Sequence, residues 1–311
     1  MKKILVTGSI AYDTIMVFPD RFKNHLLADH LHILNVCFLT PEMRREFGGT
    51  AGNIAYNLKL LGEDPLVMAT VGDDIEPYLK RFAGLGIGTG QFRRIAGQFT
   101  AQAFITTDLD DNQIIAFHPG AMNHSHQNHV RRELGAGLAI IGPDGKDGMM
   151  QHAKECAEAG VPYLFDPGQG LPMFSREELV DFVDKASYIA VNDYEGKLLE
   201  DRTGRKLDTL AQRTKALILT RGAQGSVIYT GGQRLDIPCV KATEEVDPTG
   251  CGDAYRAGLL YGIAAGFDWP KTGRLAALMG AIKIASRGGQ NHSVSPGEIA
   301  RLFRLHFRSA L

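Results

Sequence analysis

The sequence predicts an α/β fold in which a mostly parallel central sheet is covered by helices on both faces and carries a small β-sheet lid. After residue 119, short apolar segments of strand length alternate with segments of helical periodicity, as in parallel sheets with helical crossovers. Several apolar segments end in polar or glycine residues, which line the ligand crevice of such sheets. Two alternating β segments interrupt the pattern in the first half of the chain and predict the lid.

The composition is that of an ordinary globular protein, with 311 residues, 44% hydrophobic, 22% charged and a formal net charge of −1. This charge argues against a nucleic-acid partner, which would need a basic surface. No apolar segment is long enough to cross a bilayer, so no membrane partner is expected. The four cysteines are far apart, which predicts a reduced, cytoplasmic protein without disulfides or a zinc site.

The first predicted strand, Ile4–Thr7, is apolar and ends at Gly8, as expected of a buried central strand. A dinucleotide-binding loop would need two further glycines after Gly8, and these are missing, so an oxidoreductase with such a site is rejected. Asp13 follows the strand on the side where open α/β sheets bind ligands. It is either a ligand-binding carboxylate or a turn-forming aspartate.

Two β-rich segments predict a lid on a discontinuous large domain. The lid comprises residues 14–46 and 97–119, and the large domain comprises residues 1–13, 47–96 and 120–311. One lid strand is predicted within Leu31–Leu39. Aromatic lid residues would either stack on a flat ligand or form a small core within the lid. They are Phe38, Phe99, Phe104 and Phe117.

In the large domain, the glycines of the loop 48–52 lead into a helix with Asn53 in its first turn, where its amide can meet ligand hydroxyls. A tight turn is the alternative reading of these glycines. The later predicted strands are Leu66–Val71, Leu138–Ile141, Pro162–Phe165, Tyr188–Val191, Ala216–Leu219 and the hairpin 225–237. The later predicted helices span 75–83, 147–159, 175–185, 193–201, 207–215, 253–266, 269–286 and 296–307.

The segment Val246–Gly258 carries the most informative pattern, with Gly250 and Gly252 directly before Asp253 at the start of a predicted helix. A helix start offers free N–H groups to an anion, and glycines let the backbone come close to it. A carboxylate there would repel a phosphate unless it acts on the acceptor of the transferred group, so we expect phosphoryl transfer. The helix dipole is expected to lower the pKa of Asp253. The alternative is an ordinary helix start stabilised by an acidic residue.

Several motifs agree in kind and in order along the chain: Gly48-Gly49-x-x-x-Asn53, Asn192-x-x-Glu195, Thr220-x-Gly222-x-x-Gly225 and Asp247-x-Thr249-Gly250-x-Gly252-Asp253. This set resembles the ribokinase-type (PfkB) carbohydrate and nucleoside kinase family over essentially the whole chain. The resemblance implies a ribokinase-like three-layer sandwich with a β-sheet lid. Within the family, the segments 6–13, 117–122, 165–169 and 192–195 look most similar to bacterial adenosine kinases.

The resemblance implies a role for each matched position. Asp253 matches the catalytic base, and Gly250, Cys251 and Gly252 match the anion hole for the phosphoryl group. Because Cys251 stands where many members have alanine, sensitivity to thiol reagents is expected.

The expected substrate-binding residues are Ser9, Asp13, Gly49, Asn53, Phe38, Phe117 and Gln169. Among these, Asp13, Gly49 and Asn53 match residues that hold ribose hydroxyls. Ser9 and Gln169 are expected beside the purine. Of the lid aromatics, Phe38 and Phe117 rank above Phe104 as contacts of the base.

On the nucleotide side, the resemblance assigns Asn192, Thr220, Gly222 and Gly225 to ATP. Glu195 is expected to act on Mg²⁺ indirectly, through water. A helper monovalent cation such as K⁺ is implied near the loop of Asp247.

The predicted reaction is ATP-dependent phosphorylation of the 5′-hydroxyl of a purine nucleoside, with adenosine first in rank. Inosine, guanosine, ribose and fructose remain open as acceptors, and a non-catalytic nucleotide-binding regulator is the alternative of a different class. A homodimer formed through the lid is compatible with the sequence, because a small exposed sheet needs its outer face covered.

Overall fold

The structure, a computed structural model, describes residues 2–26, 33, 35–110 and 112–311. Its strands are β1 (Lys3–Thr7), β2 (Ala11–Val17), β3 (Glu42–Gly48), β4 (Leu66–Val71), β5 (Gln91–Arg94), β6 (Ala101–Thr107), β7 (Gln113–His118), β8 (Ala136–Ile141), β9 (Tyr163–Phe165), β10 (Tyr188–Asn192), β11 (Ala216–Thr220), β12 (Ser226–Thr230) and β13 (Gln233–Ile237). Its α-helices are α1 (Thr50–Leu60), α2 (Glu76–Leu85), α3 (Lys146–Ala159), α4 (Arg176–Lys185), α5 (Asp193–Thr203), α6 (Leu207–Ala211), α7 (Cys251–Ala265), α8 (Trp269–Ile284) and α9 (Pro296–Phe307).

The large domain is built on a nine-stranded sheet in the order β13-β12-β11-β10-β9-β8-β1-β4-β5. All neighbours from β11 to β5 pair in parallel, whereas β12 and β13 form an antiparallel hairpin at one edge. Parallel strands point their carboxyl ends to one edge of the sheet, so the polar residues that follow β1, β9, β10 and β11 meet there. That edge is where a ligand crevice is expected.

Helices cover both faces of this sheet because successive strand residues point to opposite sides. In β1, Ile4 and Val6 pack in the core beneath α1, α2, α7 and α8, whereas Leu5 packs in the core beneath α3, α4, α5 and α6. The strand β8 alternates in the same way, with Leu138 and its neighbour Ala139 in different cores. The apolar runs that predicted buried parallel strands therefore serve two hydrophobic cores.

The lid is a four-stranded sheet in the order β3-β2-β6-β7. Since β2 begins at Ala11 and β3 ends at Gly48, this sheet includes residues 11–13 and 47–48, which the sequence assigns to the large domain. The predicted strand Leu31–Leu39 is absent over 35–39, which have no regular secondary structure, and its residues 31, 32 and 34 lie outside the described residues. The strand β3 supplies the fourth position instead.

Two strands and one helix differ from the sequence prediction. The strands β3 and β5 are rich in charged residues and lie at sheet edges, where one side meets solvent, so neither shows an apolar run. The helix α6 ends at Ala211 rather than near residue 215. Across the described part of the chain, we find no helix with the length and apolarity that a bilayer crossing requires.

Candidate active site

The helix α7 begins without a side-chain cap. Gly250 is its N-cap in the left-handed conformation (φ 78°), and a Cβ there would lie 3.0 Å from the Cα atom of Gly289. A Cβ on Gly252 would meet no atom within 4 Å, so the space above the helix start is open. Among the described residues, the N–H groups of Gly252 and Asp253 have no acceptor. This helix start therefore offers two free donors to an anion.

Asp253 lies beside these donors in the first turn of α7 and is partly buried. Its Oδ2 atom accepts a hydrogen bond of 2.8 Å from Nδ2 of Asn53. Burial raises the pKa of Asp253 to about 7, against a lowering contribution from Asn53. The pKa lowering expected from the helix dipole is thus wrong in sign, because desolvation of the carboxylate outweighs it. A carboxylate with a pKa near neutrality suits a general base.

Asn53 is held in place by a buried network. Its Oδ1 atom accepts a hydrogen bond of 3.1 Å from Nε2 of Gln290. The same nitrogen also donates a hydrogen bond of 2.6 Å to the hydroxyl of Tyr78. The Tyr78 hydroxyl in turn donates 2.7 Å to the carbonyl oxygen of Gly48. With its oxygen occupied, the Asn53 amide presents its NH₂ group to Asp253. Its predicted contact with a ribose hydroxyl stays a prediction, because its closest polar partner here is the base.

A buried ion pair, absent from the sequence prediction, lies next to Asp253. Arg256 donates to Asp166 through Nε at 3.1 Å and through a terminal nitrogen at 3.2 Å, and both side chains are buried. Arg256 lies three residues after Asp253 and so shares its helix face. Asp166 directly follows β9, and its charge contributes to the raised pKa of Asp253. In the sequence, the spacing Asp253-x-x-Arg256 indicates that Arg256 lies close to Asp253, but not that it pairs with Asp166.

The start of α5 contrasts with that of α7, because Asn192 and Glu195 cap it reciprocally. Oδ1 of Asn192 accepts from the Glu195 N–H, and Oε2 of Glu195 accepts from the Asn192 N–H, both at 2.8 Å. Glu195 is buried, and its pKa is raised chiefly by burial and then by Asp166.

This capping box leaves Oε1 of Glu195 without a donor in the described residues, which fits contact with Mg²⁺ through water. The described residues contain no cluster of three His, Cys, Asp or Glu side chains that could hold a metal ion directly. Mg²⁺ therefore stays a prediction.

On the acceptor side, Asp13 projects from β2 over Gly48, whose missing Cβ makes the room: a Cβ there would lie 2.3 Å from Oδ2 of Asp13. Among described residues, no group donates to the Asp13 carboxylate. Burial, Glu46 and Asp247 raise the pKa of Asp13 to about 6. A carboxylate in this position suits two sugar hydroxyls, which are donors.

The neighbouring residues Gly49 and Ser9 have visible structural roles. Gly49 (φ 85°) is the N-cap of α1, and a Cβ there would lie 2.5 Å from the Ser9 carbonyl oxygen. The Ser9 hydroxyl accepts from the Thr50 N–H at 3.1 Å. These contacts hold the start of α1 against the end of β1, and the predicted substrate contacts of both residues remain predictions.

The lid divides its aromatic residues between two faces and a small core. Asp13 pairs with Ala103, and Ala103 pairs with Phe117, so Asp13 and Phe117 lie on one face of the sheet. Phe117 is 51% exposed there and free to stack on a ligand. Phe104 is in the next row and points to the opposite face.

Phe38 does not share the exposed position of Phe117. Its ring lies 4.9 Å from those of both Phe18 and Phe22, measured between centroids, and it is partly buried. In this structure the Phe38 ring packs in the core of the lid, and its predicted contact with the nucleobase stays a prediction.

The predicted nucleotide-side residues follow β11. The Thr220 hydroxyl donates to the Val191 carbonyl oxygen at 3.4 Å, which joins the ends of β10 and β11. Gly222 (φ 53°) has open space around a hypothetical Cβ, whereas a Cβ on Gly225 would lie 2.2 Å from the Ile237 carbonyl oxygen. Glycine is thus required at position 225 by the close approach of the backbone, whereas Gly222 leaves room for a ligand.

Two further predicted residues differ in accessibility. Gln169 is exposed in the short 3₁₀ helix Gly168–Met173 that follows β9, at the carboxyl edge of the sheet. Burial raises the pKa of the Cys251 thiol to about 11. The thiol is therefore protonated near neutral pH, and the expected sensitivity to thiol reagents is not favoured.

The comparisons with known proteins agree with this geometry. The model of the pfkB family of carbohydrate kinases matches residues 1–296. The chain belongs to this family. A nucleoside kinase of Methanocaldococcus jannaschii is 31% identical over 300 residues, which cover 94% of this chain and 93% of that protein. The family predicted from the ordered motifs is thereby confirmed.

Solved structures confirm the predicted ribokinase-like fold. The nucleoside kinase of Burkholderia thailandensis in complex with inosine is 52% identical, with a TM-score of 0.91 and coverage of 99% of both chains. Its complex with ADP-inosine is 53% identical, with a TM-score of 0.88, covering 99% of this chain and 97% of that one. A ribokinase of Thermotoga maritima, 19% identical with a TM-score of 0.78, shows the fold alone; it covers 97% of this chain and 99% of its own. The chain is thus a phosphotransferase with a hydroxyl group as acceptor.

Proposed function

We propose that this protein transfers the γ-phosphoryl group of Mg·ATP to the 5′-hydroxyl of a purine nucleoside. The bond from the acceptor oxygen to the γ-phosphorus forms as the bond to the β,γ-bridging oxygen breaks, and ADP leaves. Asp253 takes the proton of the acceptor hydroxyl. The observation that carries the proposal is the open start of α7, where a carboxylate with a pKa of about 7 adjoins two unpaired N–H donors.

These two features divide the work of the reaction. Phosphoryl transfer has a loose transition state, so positioning and charge stabilisation supply most of the rate. The free N–H groups of Gly252 and Asp253 would meet the charge on the phosphoryl oxygens. Mg²⁺ would neutralise the triphosphate, with Glu195 orienting its waters. The hydrogen bond from Asn53 would fix the orientation of the Asp253 carboxylate during the reaction.

The acceptor is proposed to be a nucleoside because of the face that Asp13 shares with Phe117. The carboxylate of Asp13 can receive two sugar hydroxyls, and two strands away Phe117 offers an exposed ring to a base. The strand spacing of about 4.8 Å sets these groups roughly 10 Å apart, a span suited to a ribose with its attached base. A free sugar would leave the ring of Phe117 unused.

Among nucleosides, we propose that both inosine and adenosine are accepted. The Burkholderia thailandensis enzyme, similar over the whole chain, was solved with inosine. Gln169, exposed at the crevice edge, carries an amide that can donate to a 6-oxo group or accept from a 6-amino group. A non-catalytic regulator is disfavoured, because a sensor would need neither the proposed catalytic base Asp253 nor the hydrogen bond that Asn53 donates to it.

The proposal is tested by coupled measurement of ADP release with Mg·ATP and five acceptors: inosine, adenosine, guanosine, ribose and fructose. We expect kcat/KM for inosine and adenosine to exceed that for the free sugars about 10–100-fold, since stacking on Phe117 contributes about 1–3 kcal/mol. A 5′-deoxynucleoside is the matched control and should yield no ADP. Equal or higher rates with ribose or fructose would refute the nucleoside assignment, and no acceptor-dependent ADP release would refute the kinase.

We further propose that two copies associate through the outer face of the lid. That face, opposite Asp13, exposes Met43, Phe104 and Ile114 on three of its strands. Exposed apolar side chains grouped on one sheet face mark an interaction surface. Light scattering after size exclusion should give twice the monomer mass for the native protein and the monomer mass for Met43→Asp. A monomeric native protein would refute the dimer.

A further inference from the structure

Lys283 is fully buried near the end of α8, and no other lysine of the described residues is buried. Its Nζ atom donates to the carbonyl oxygen of Asp247 at 2.7 Å and to that of Ser286 at 3.0 Å. A buried ammonium is costly unless it is well bonded, so a side chain kept in this position calls for a reason. Burial lowers the pKa of Lys283, while Cys251, Asp247 and Asp253 favour its charged form.

The two carbonyl groups belong to the two segments that build the start of α7. One is the loop of Asp247, which leads into Gly250, and the other is the turn after α8, which contains Gly289 against Gly250. Further bonds join these segments: Asp247 Oδ2 accepts from the Gly288 N–H at 2.8 Å, and the Asp247 N–H donates to the Ile284 carbonyl oxygen at 3.1 Å. The ammonium therefore lies where the anion-binding helix start is shaped.

The local field also favours a positive charge in this position. Ser286 lies just beyond the C-terminus of α8, the negative end of its dipole. Carbonyl oxygens that converge on one point are the donor set that a monovalent cation such as K⁺ would use. In this protein, two such carbonyl oxygens already accept hydrogen bonds from the Lys283 ammonium. A K⁺ ion at the same oxygens would be repelled by Lys283, so the residues present do not fit the helper cation that the resemblance implies.

We propose that the Lys283 ammonium acts as the resident cation of this site: it positions the Asp247 loop and the anion hole, and phosphoryl transfer proceeds without a monovalent metal ion. Lys283 is a positioning residue, because it touches the loops rather than the reacting atoms. The effect on turnover rests on the proposed kinase function. The structural part, a cation site filled by a side chain, is independent of it.

The first test uses the native protein and compares K⁺, Na⁺ and choline chlorides at equal ionic strength. We expect kcat to agree within about twofold among the three, and the melting temperature to show no K⁺-specific rise, because no site is left for the ion. Activation by K⁺ of about fivefold or more, or a K⁺-specific stabilisation, would overturn the proposal. Complete absence of kinase activity in all three salts would refute the proposed function, and the melting temperatures would still decide the cation question.

The second test opens the site with Lys283→Ala and fills it with an uncharged chain in Lys283→Met. In choline chloride, both variants should lose about tenfold or more in kcat, because the anion-hole donors lose their placement, with nucleoside binding by calorimetry retained. K⁺ or NH₄⁺ should restore kcat and raise the melting temperature of Lys283→Ala only, since the methionine side chain occupies the space. A purely structural lysine would give no cation-specific recovery.

The matched control for the second test is Lys271→Ala, at the opposite end of α8, which should behave as the native protein in every salt. Full activity of Lys283→Ala in choline chloride would overturn the proposal. If Lys283→Ala does not fold, the salt series on the native protein remains decisive, because cation dependence there contradicts the proposal by itself.

Discussion

The helices α5 and α7 begin at the same edge of the sheet, each with an acidic residue in its first turn, and they use their free N–H groups in opposite ways. At α5, Asn192 and Glu195 consume two of these groups in a capping box. At α7, Gly250 provides no side chain, and the N–H groups of Gly252 and Asp253 have no acceptor among the described residues. A glycine at a helix start therefore leaves the N–H groups to a ligand, whereas a side-chain amide or hydroxyl would bond them.

The two helix starts are nevertheless coupled through one buried ion pair. Asp166 raises the pKa of both Glu195 and Asp253, and Arg256 lowers both. Arg256 is thus placed to limit the charge that accumulates between the two acids. A base at one helix start and a proposed water-mediated metal contact at the other can then work within one cleft.

The largest expected effect is on the acid of the open helix start. Asp253→Asn should lower kcat by about 10²–10⁴ with little change in ATP affinity, because the proton acceptor is lost and the helix start remains. The control is Asp193→Asn, the exposed first-turn acid of the capped helix, which should stay near native activity. Turnover of Asp253→Asn within threefold of the native rate would remove Asp253 from the base position.

The same variant has a stability readout. The pKa of Asp253 is raised from 3.8 to about 7 in the folded protein, so the folded state binds its proton more tightly than the unfolded state. Its contribution to stability is present at low pH and is lost as pH rises from about 4 through 7. At pH 8, Asp253→Asn should therefore melt at a higher temperature than the native protein, with the difference shrinking toward pH 5.

The second effect separates stability from function at Gly252. A Cβ there meets nothing, so Gly252→Ala should stabilise α7 by about 0.5–1 kcal/mol through reduced chain entropy. The methyl group nevertheless occupies the space of the phosphoryl group and should lower kcat about 10–100-fold. Gly84→Ala in α2, equally free of contacts, is the control and should be stabilised with native activity. A fully active Gly252→Ala would show that no anion approaches this position.

The third effect tests whether the lid holds the nucleobase of the substrate. Phe117→Ala should raise KM for inosine about tenfold with kcat and KM for ATP nearly unchanged, because stacking contributes about 1–3 kcal/mol. Leu109→Ala, an equally exposed apolar lid residue near the β6–β7 turn, is the control. An unchanged KM for inosine would show that the nucleobase does not stack on Phe117.

The smallest effect concerns the capped helix start. Glu195→Gln keeps the capping box, since glutamine also serves at that position, and removes only the charge. We expect native stability. The Mg²⁺ concentration that gives half-maximal activity should rise about threefold to tenfold, because one water-mediated contact weakens. An unchanged Mg²⁺ titration would confine Glu195 to its structural role. A loss as large as that of Asp253→Asn would give Glu195 a direct part in the reaction.

The sequence predicted the helices and buried strands of the large domain because their apolar runs and glycine stops are local. It missed β3, whose charged residues lie at the edge of the lid. It also could not show that Phe38 packs against Phe18 and Phe22, since that contact depends on the folded path of the lid. The Asn192-x-x-Glu195 spacing also carried the signal of a capping box.

The environment of the base was the least predictable part of the site. The pKa of Asp253 reflects burial, the hydrogen bond from Asn53 and the charge of Asp166, and these two residues lie 200 and 87 positions away along the chain. The sequence does not reveal the hydrogen bond from Lys283 to Asp247 for the same reason, since the two residues lie 36 positions apart. Spacing along a chain reports on one helix or strand, whereas these groups meet only through the tertiary fold.

The most direct test of the central claim is the pH dependence of kcat/KM for the nucleoside at saturating Mg·ATP. With Asp253 as the base, kcat/KM should fall on the acidic side with an apparent pKa near 7, because the protonated carboxyl cannot accept the hydroxyl proton. The limb should be absent from the residual activity of Asp253→Asn. A native profile that stays flat from pH 5.5 to 8 would contradict catalysis by the Asp253 carboxylate at the open start of α7.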